Sequence, residues 1–418
     1  MESFLLIVFI IGYILIAFES TVKINKAAFA LLTGIICWWI IVVYSQGSIS
    51  ITSKIAEKMG DISAILFFLI GAMTIVELID LHNGFDLIVK IIRPKSNIQL
   101  LWIIAIITFF LSPLLDNLTT TIVMISVLQK IISSGRDRLY ISSVVILAAN
   151  AGGAWSPIGD VTTSMLWIGG QLTAGSMIKT LFLPSIVSLV VPVLIISLMV
   201  KKQTVILKQF IVKENDAWEG LVIFWTGISL LLMVPLFKWI LHLPPFMCML
   251  ISLALLWLIS ELMHKNKSSE RKSHLSVDHA IQRIDMSSII FFLGILLSIG
   301  ALEYAGLLHK FSAGLSDLGF NDKGVTLAMG FASAIIDNVP LIAGAMGMYP
   351  LSQFPVNHEF WSMIAFAGGT GGSMLIIGSA AGVVAMGMEK ISFLWYLKNI
   401  GWIAVLGFLS GMLFLMVT

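Results

Sequence analysis

The chain has 418 residues, 58% of them hydrophobic and 11% charged, with a formal net charge of +2 and a mean hydropathy of +1.00. A soluble domain carries about 25% charged residues and could not hide this much apolar surface. That excludes soluble enzymes, nucleic-acid binders and secreted disulfide scaffolds. The apolar stretches are continuous rather than alternating, and run to about the 17–25 residues that a helix needs to cross a bilayer. The predicted class is therefore an all-α polytopic membrane protein, with the lipid bilayer as its first partner.

The N-terminus has Glu2 as its only early charge and no basic stretch before its apolar run. It reads as a first span rather than a cleaved signal. Further spans are predicted near 27–44, 62–81, 177–200, 220–237, 243–263, 286–302 and 393–417. Two regions, 99–175 and 323–391, are apolar but interrupted by Gly, Pro, Asn, Asp and Thr. The polar stretch 264–284 reads as a solvated linker. Cys37 and Cys248 both fall in apolar segments and suggest no disulfide.

The two halves of the chain resemble each other. DISAILFFL at 61–69 shares six of nine residues with DMSSIIFFL at 285–293. Asp116-Asn117 follows Asp61 by 55 residues, and Asp337-Asn338 follows Asp285 by 52. GGAWSPIGD at 152–160 then aligns on GGSMLIIGS at 371–379, 36 and 34 residues beyond the respective Asp-Asn pairs. Three matches in one order at nearly one spacing indicate an internal repeat, as in many secondary transporters.

If each interrupted region begins with a hairpin that returns to its own side, 19 of the 25 Lys and Arg lie on one side. They sit in connections 19–26, 82–98, 130–138, 201–219, 264–284 and 389–398. The richer side is cytoplasmic, which puts the N-terminus outside. Each half then has five full crossings and one re-entrant hairpin, so the repeats have inverted topology, each with a re-entrant hairpin and a broken helix.

The chemistry lies in the interruptions. Asp116, Asp160 and Asp337 are carboxylates at membrane depth, which marks an ion or proton path. Each has polar company: Asn117, Thr119, Thr120 and Thr121; Asn150, Ser156, Thr162 and Thr163; Asn338. Capping of broken helices by the Asn and Thr residues is the plainer alternative. The clusters Gly152-Gly153 and Gly368-Gly369-Thr370-Gly371-Gly372, the latter followed by Ser373, interrupt helices and free backbone carbonyls. Carbonyls with carboxylates suit a hard cation such as Na⁺ or Li⁺, held transiently at Asp116, Asp160 and Asp337. The seven histidines all lie at segment ends or in loops, so proton traffic falls to the aspartates. No P-loop, zinc-ligand cluster or nucleophile elbow is visible, which argues against a pump or an enzyme, and no cofactor is expected beyond the transported Na⁺ or Li⁺ and H⁺.

LDNLTTTIVM at 115–124, AANAGGAWSPIGDVTT at 148–163 and IIDNVPL at 335–341 resemble the NhaD-type sodium/proton antiporters of the ion transporter superfamily, whose other members include dicarboxylate/sodium symporters and arsenite carriers. The resemblance implies a Na⁺(Li⁺)/H⁺ antiporter of the bacterial inner membrane, a homodimer with a scaffold and a moving transport domain. It carries the family's functional positions onto Asp116, Asn117, Asn150, Asp160, Thr162, Ser333, Asp337 and Asn338. Ser379 stands where the first repeat has Asp160, so the site is not symmetric in charge. The expected division is scaffold 1–95, transport domain 96–200, a cytoplasmic connection 201–219, scaffold 220–322 and transport domain 323–418, with amphipathic pieces near 82–95 and 304–318. A sodium-coupled anion symporter of the same superfamily and a passive cation channel remain as other readings. An antiporter would work by competition: protons exclude Na⁺ from the aspartates at low cytoplasmic pH, and Na⁺ becomes their counter-charge once they ionise.

The charge asymmetry makes a topological prediction. A cysteine placed in 264–284 should be protected from impermeant thiol reagents in intact cells, and one at Thr52 should be labelled. The opposite pattern overturns the orientation.

Overall fold

The computed structural model describes the chain except for residues 18–21, 46–48, 86–91, 93, 133–134, 201–216, 266–268, 318 and 320. Half of the expected amphipathic piece near 82–95 and most of the 201–219 connection lie outside the described residues.

The described elements are all helical. The first half contains α1 (Glu2–Ala17), α2 (Lys26–Tyr44), α3 (Ile49–Leu81), α4 (Asn97–Leu115), α5 (Asn117–Ile131), α6 (Arg136–Gly153), α7 (Val161–Ile168) and α8 (Ala174–Met199). The second contains α9 (Ala217–Leu241), α10 (Pro245–His264), α11 (Ser269–His274), α12 (Val277–Arg283), α13 (Met286–Tyr304), α14 (Leu307–Asp317), α15 (Asp322–Ser333), α16 (Asn338–Met348), α17 (Glu359–Gly371), α18 (Ala380–Glu389) and α19 (Phe393–Val417). Among the described residues, eight helices are long and apolar enough to cross a membrane.

Two boundaries differ from the sequence reading. The span expected at 62–81 begins at Ile49, because the polar stretch before it is itself helical. Its charges are held by neighbours: Lys54 pairs with Glu57 one turn on, and Lys58 with Glu303 on α13. The 264–284 linker is not merely solvated. It contains α11 and α12, and α12 buries Val277 and Ala280, with Ser276 capping its first turn. Arg283 then pairs with Glu77 at 2.7 Å and Asp80 at 3.6 Å on α3. A short apolar face and a cap suffice to dock a segment that charge composition alone marks as loop.

Packing repeats across the two halves. α1 packs on α2 as α9 does on α10; α2 packs on α13 as α10 does on α3. The hairpin limb α4 lies on α6 as α15 lies on α17, and α5 meets α18 as α16 meets α7. The last helices of the halves, α8 and α19, pack on each other. The direction of each half is read from its ends. Asn97, opening α4, donates to Asp137 at the start of α6, so the first hairpin returns to the side it left. Length alone would let α4 cross the bilayer; the return through α5 makes it a hairpin limb. On that same side Arg138 reaches Glu389, which ends α18, and Tyr140 donates to Asn399. Asn357, just before α17, meets the backbone of Gln171 and Thr173 beyond α7. Each broken helix therefore starts where the other ends, and the halves are inverted.

The hairpin limbs sit close on the broken helices because the contact residues lack side chains. A Cβ on Gly152 would lie 2.4 Å from the Phe109 carbonyl oxygen; one on Gly371 would lie 2.3 Å from that of Gly330. These are the same contact in the two repeats. Gly152→Ala and Gly371→Ala should each cost about 1–3 kcal/mol through overpacking, seen as a lower melting temperature of the detergent-solubilised protein. Gly60→Ala, within α3 and meeting nothing within 4 Å, should not lower it.

Candidate functional site

The hairpin tips and helix breaks place their carboxylates by a common local device. Asp116 alone separates α4 from α5, at φ 68°, and caps α5. Its Oδ1 accepts from the Thr119 backbone N–H at 2.7 Å and its Oδ2 from the Thr119 hydroxyl at 3.0 Å. Asp160 caps α7: its Oδ1 accepts from the backbone N–H of Thr162 at 2.8 Å and from its hydroxyl at 2.7 Å. Asp337 caps α16, its Oδ1 accepting from the Val339 N–H at 3.3 Å. In the second broken helix Ser379 does the same for α18, through the Gly382 N–H. Exposed N–H groups at a helix start need such acceptors; the caps are Asp116, Asp160, Asp337 and Ser379, not the Asn and Thr residues expected from sequence, because these carboxylate and hydroxyl acceptors stand at the residue just before each helix.

Asp160 is the centre. It is 1% exposed, and its free oxygen Oδ2 accepts from Asn117 Nδ2 at 2.5 Å. Asn338 Nδ2 reaches Oδ1 and Oδ2 at 3.4 and 3.5 Å. The matching asparagines of the two repeats thus aim at one carboxylate. Asn117 also donates to Asn150 Oδ1 at 3.1 Å, and Asn150 donates to the hydroxyls of Ser373 at 2.8 Å and Ser379 at 2.9 Å. One hydrogen-bonded chain therefore runs from the acidic break in the first half to the hydroxyl-bearing break in the second.

The remaining candidates hold the frame. Ser156 donates to the Pro113 carbonyl at 2.9 Å, tying the first break to the first hairpin. Ser333 donates to the Gly368 carbonyl at 3.1 Å; Ser112 makes the matching bond to the Ala149 carbonyl at 2.5 Å. Thr163 bonds the Asp160 carbonyl, Thr121 that of Asn117 and Thr370 that of Phe366. Thr120 is buried, with no hydrogen bond to its hydroxyl among the described residues.

Asp116, Asp160 and Asp337 all line one cavity of about 60 Å³, with Asn117, Asn338 and Ser288. A water needs roughly 10–15 Å³ on this measure, so a few waters or a partly hydrated cation fit. The three carboxylates are separate around it. Among the described residues no three His, Cys, Asp or Glu side chains come close enough to hold one ion together, so a single three-aspartate cage is not the arrangement. Met73 and Leu118 are shared with a second cavity of about 470 Å³, lined by Thr119, Glu77, Asp80, Asn83, Arg283 and Asp285. It leads from the Asp116 tip toward the side of connections 82–98 and 264–284.

One residue of the site escaped the sequence reading. Lys26, in the first turn of α2, donates to Asp337 Oδ2 at 3.2 Å and lies 4.3 Å from the centre of the Phe291 ring. A lysine at the mouth of a span looks like any boundary charge; its partner is 311 residues away, and no local pattern points to it.

The Asn117 contacts make a prediction. Asn117→Asp replaces the amide donor by a second carboxylate against Asp160. The melting temperature should drop at pH 8 and recover at pH 5, where a shared proton restores a hydrogen bond. A pH-independent loss would show that Asn117 does not face an ionised Asp160.

A family model described as citrate transporter, CitMHS, matches residues 13–365. Sodium/proton antiporter 2 of Arabidopsis thaliana is 44% identical over 97% of both chains. Sodium/proton antiporter 1 of the same plant is 45% identical over 97% of this chain and 70% of that one. The Na(+)/H(+) antiporter NhaD of Vibrio cholerae is 30% identical, over 94% of this chain and 87% of its own length. Among solved structures, the Alcanivorax borkumensis YdaH transporter, described as having an unusual topology, superposes with a TM-score of 0.54 at 12% identity, over 86% of both chains; that likeness concerns the fold alone. Motifs, inverted helical repeats and these matches together establish that the chain belongs to the citrate transporter family and, within it, to the NhaD-type sodium/proton antiporters.

Proposed function

We propose that this protein exchanges Na⁺, and also Li⁺, for H⁺ across a membrane, with Asp160 as the coupling carboxylate. One observation carries the assignment: a buried carboxylate receives an asparagine from each repeat beside a cavity of ion size. The names of the curated relatives support the choice of ions.

Asp160 holds either a proton or the cation, never both. When ionised it takes a cation as counter-charge, with amide and hydroxyl oxygens at Asn117, Asn150, Thr162, Asn338, Ser373 and Ser379 available nearby. When protonated it is neutral, and the cation has no anchor. Exchange follows if only the two occupied forms cross, since occupancy must differ between states for coupling. Asp116 lies on the path between the 470 Å³ cavity and Asp160, where it takes part in loading. This form of the protein is then open toward the cytoplasm.

The moving part in this reading is 96–200 with 323–418, and the scaffold is 1–95 with 220–322. Rigid displacement of one against the other gives an elevator-type cycle, and the scaffold pairs two copies as a homodimer. In this reading the protein lies in the bacterial inner membrane, as the resemblance to the NhaD-type antiporters implies, with its N-terminus outside, as the basic connections imply. No cofactor takes part.

The test is exchange in everted vesicles or proteoliposomes. Asp160→Asn keeps size and hydrogen bonding but removes the titrating group; Na⁺/H⁺ exchange should fall at least about a hundredfold, while the protein still reaches the membrane. Asp116→Asn should also reduce exchange severely. Near-normal exchange by Asp160→Asn, or uphill sodium movement that continues after the pH gradient and membrane potential are collapsed, overturns the proposal.

A further inference from the structure

The two hairpin aspartates occupy matching positions but differ in company. Asp116 accepts from the backbone N–H and hydroxyl of Thr119 in its own hairpin, and α10, the counterpart of α2, opens with PFMC and brings no cation in its first turn. Asp337 has an ammonium group at 3.2 Å, from Lys26. Both partners are partly buried, 31% and 24% exposed, and both line the cavity that holds Asp116 and Asp160. The amine is fixed on two sides, by Asp337 Oδ2 and by the face of Phe291. The second oxygen of Asp337 is engaged by the Val339 N–H. A monovalent cation arriving in this cavity therefore finds one hairpin carboxylate already neutralised by a monovalent cation that belongs to the protein.

The pair also joins two helices that lie on a common neighbour. Lys26 lies on α2, which packs on α1 and α13; Asp337 opens α16, which packs most on α13 and also on α7, α17 and α14. Any displacement of the hairpin from α2 breaks the pair and leaves the Asp337 carboxylate without its counter-charge, at a cost in stability. An incoming cation removes that cost by taking the place of Lys26.

We propose that Lys26 is a tethered counter-cation of Asp337 that Na⁺ displaces on binding, so that it sets the sodium affinity of the site and holds the hairpin in place until a cation is loaded. This rests on the sodium reading above and adds a residue and a specificity element to it. Lys26 is a positioning residue with a charge that competes, not a ligand of the transported ion.

The test is ²²Na⁺ binding to the full-length, detergent-purified protein at fixed pH, with melting temperature measured alongside. Lys26→Met should tighten the apparent Kd, by up to about fivefold, the most that a partly exposed ion pair is usually worth. Lys26→Arg should stay near the wild type. In the Asp337→Asn background, adding Lys26→Met should change nothing further. A Kd that is unchanged or weaker in a folded Lys26→Met protein overturns the role of Lys26, because a purely structural lysine can only leave affinity alone or lower it. Should Lys26→Met fail to fold, Lys26→Gln gives the same reading with a hydrogen-bond donor retained. A wild type that binds no ²²Na⁺ overturns the sodium reading and this inference with it, whereas wild-type binding with an unaltered variant overturns only the inference.

Discussion

Everything near the centre of this protein answers to the cost of keeping one carboxylate, Asp160, away from water. A buried anion is tolerated only when its oxygens are filled with donors or a counter-ion. Here the donors come from three separate stretches: Thr162 at the start of α7, Asn117 from the first hairpin and Asn338 from the second. Those stretches must be held together for the carboxylate to be stable. The serine bonds that pin hairpins to broken helices, and the glycine contacts that let the backbones approach, meet that need.

The frame is symmetric and the chemistry is not. The bonds Ser112 to Ala149 and Ser333 to Gly368 are copies, as are the Gly152 and Gly371 contacts. Within that shared frame the first half supplies Asp160 and Asn150, where the second has Ser379 and Gly369. Asn338, instead of serving its own half, reaches across to Asp160. The repeat provides two equivalent halves that can lie antiparallel, and the divergence of a few residues concentrates the charge at one point between them.

The hairpin aspartates show the same division. Asp116 and Asp337 are both helix caps, though Asp116 (φ 68°) accepts from the Thr119 N–H and Asp337 (φ −50°) from that of Val339. They differ further in the neighbour each meets, a threonine in its own hairpin or a lysine from a distant helix. A shared capping role thus yields two electrostatic environments around one cavity.

Sequence by itself determined the membrane class, the spans, the repeat and its inversion, and the polar residues at the breaks. These follow from local composition and periodicity, because a bilayer forces every backbone group to be satisfied within its own helix. From sequence, capping falls to the Asn and Thr residues; the structure gives it to Asp116, Asp160, Asp337 and Ser379, although a cap acts on residues only two or three positions away. Only the tertiary structure decided which donors meet Asp160, that Asn338 crosses to the other repeat, that the three aspartates stand apart around the cavity, and that Lys26 lies against Asp337. The contacts of Asn117 and Asn338 with Asp160 and of Lys26 with Asp337 join residues from 43 to 311 positions apart. Their partners are chosen by how the helices pack, which no local pattern encodes. The helical start of α3 and the docking of α12 were missed for a related reason: charged and polar residues read as loop until a distant partner, Glu303 for Lys58 or Glu77 for Arg283, takes up their charge.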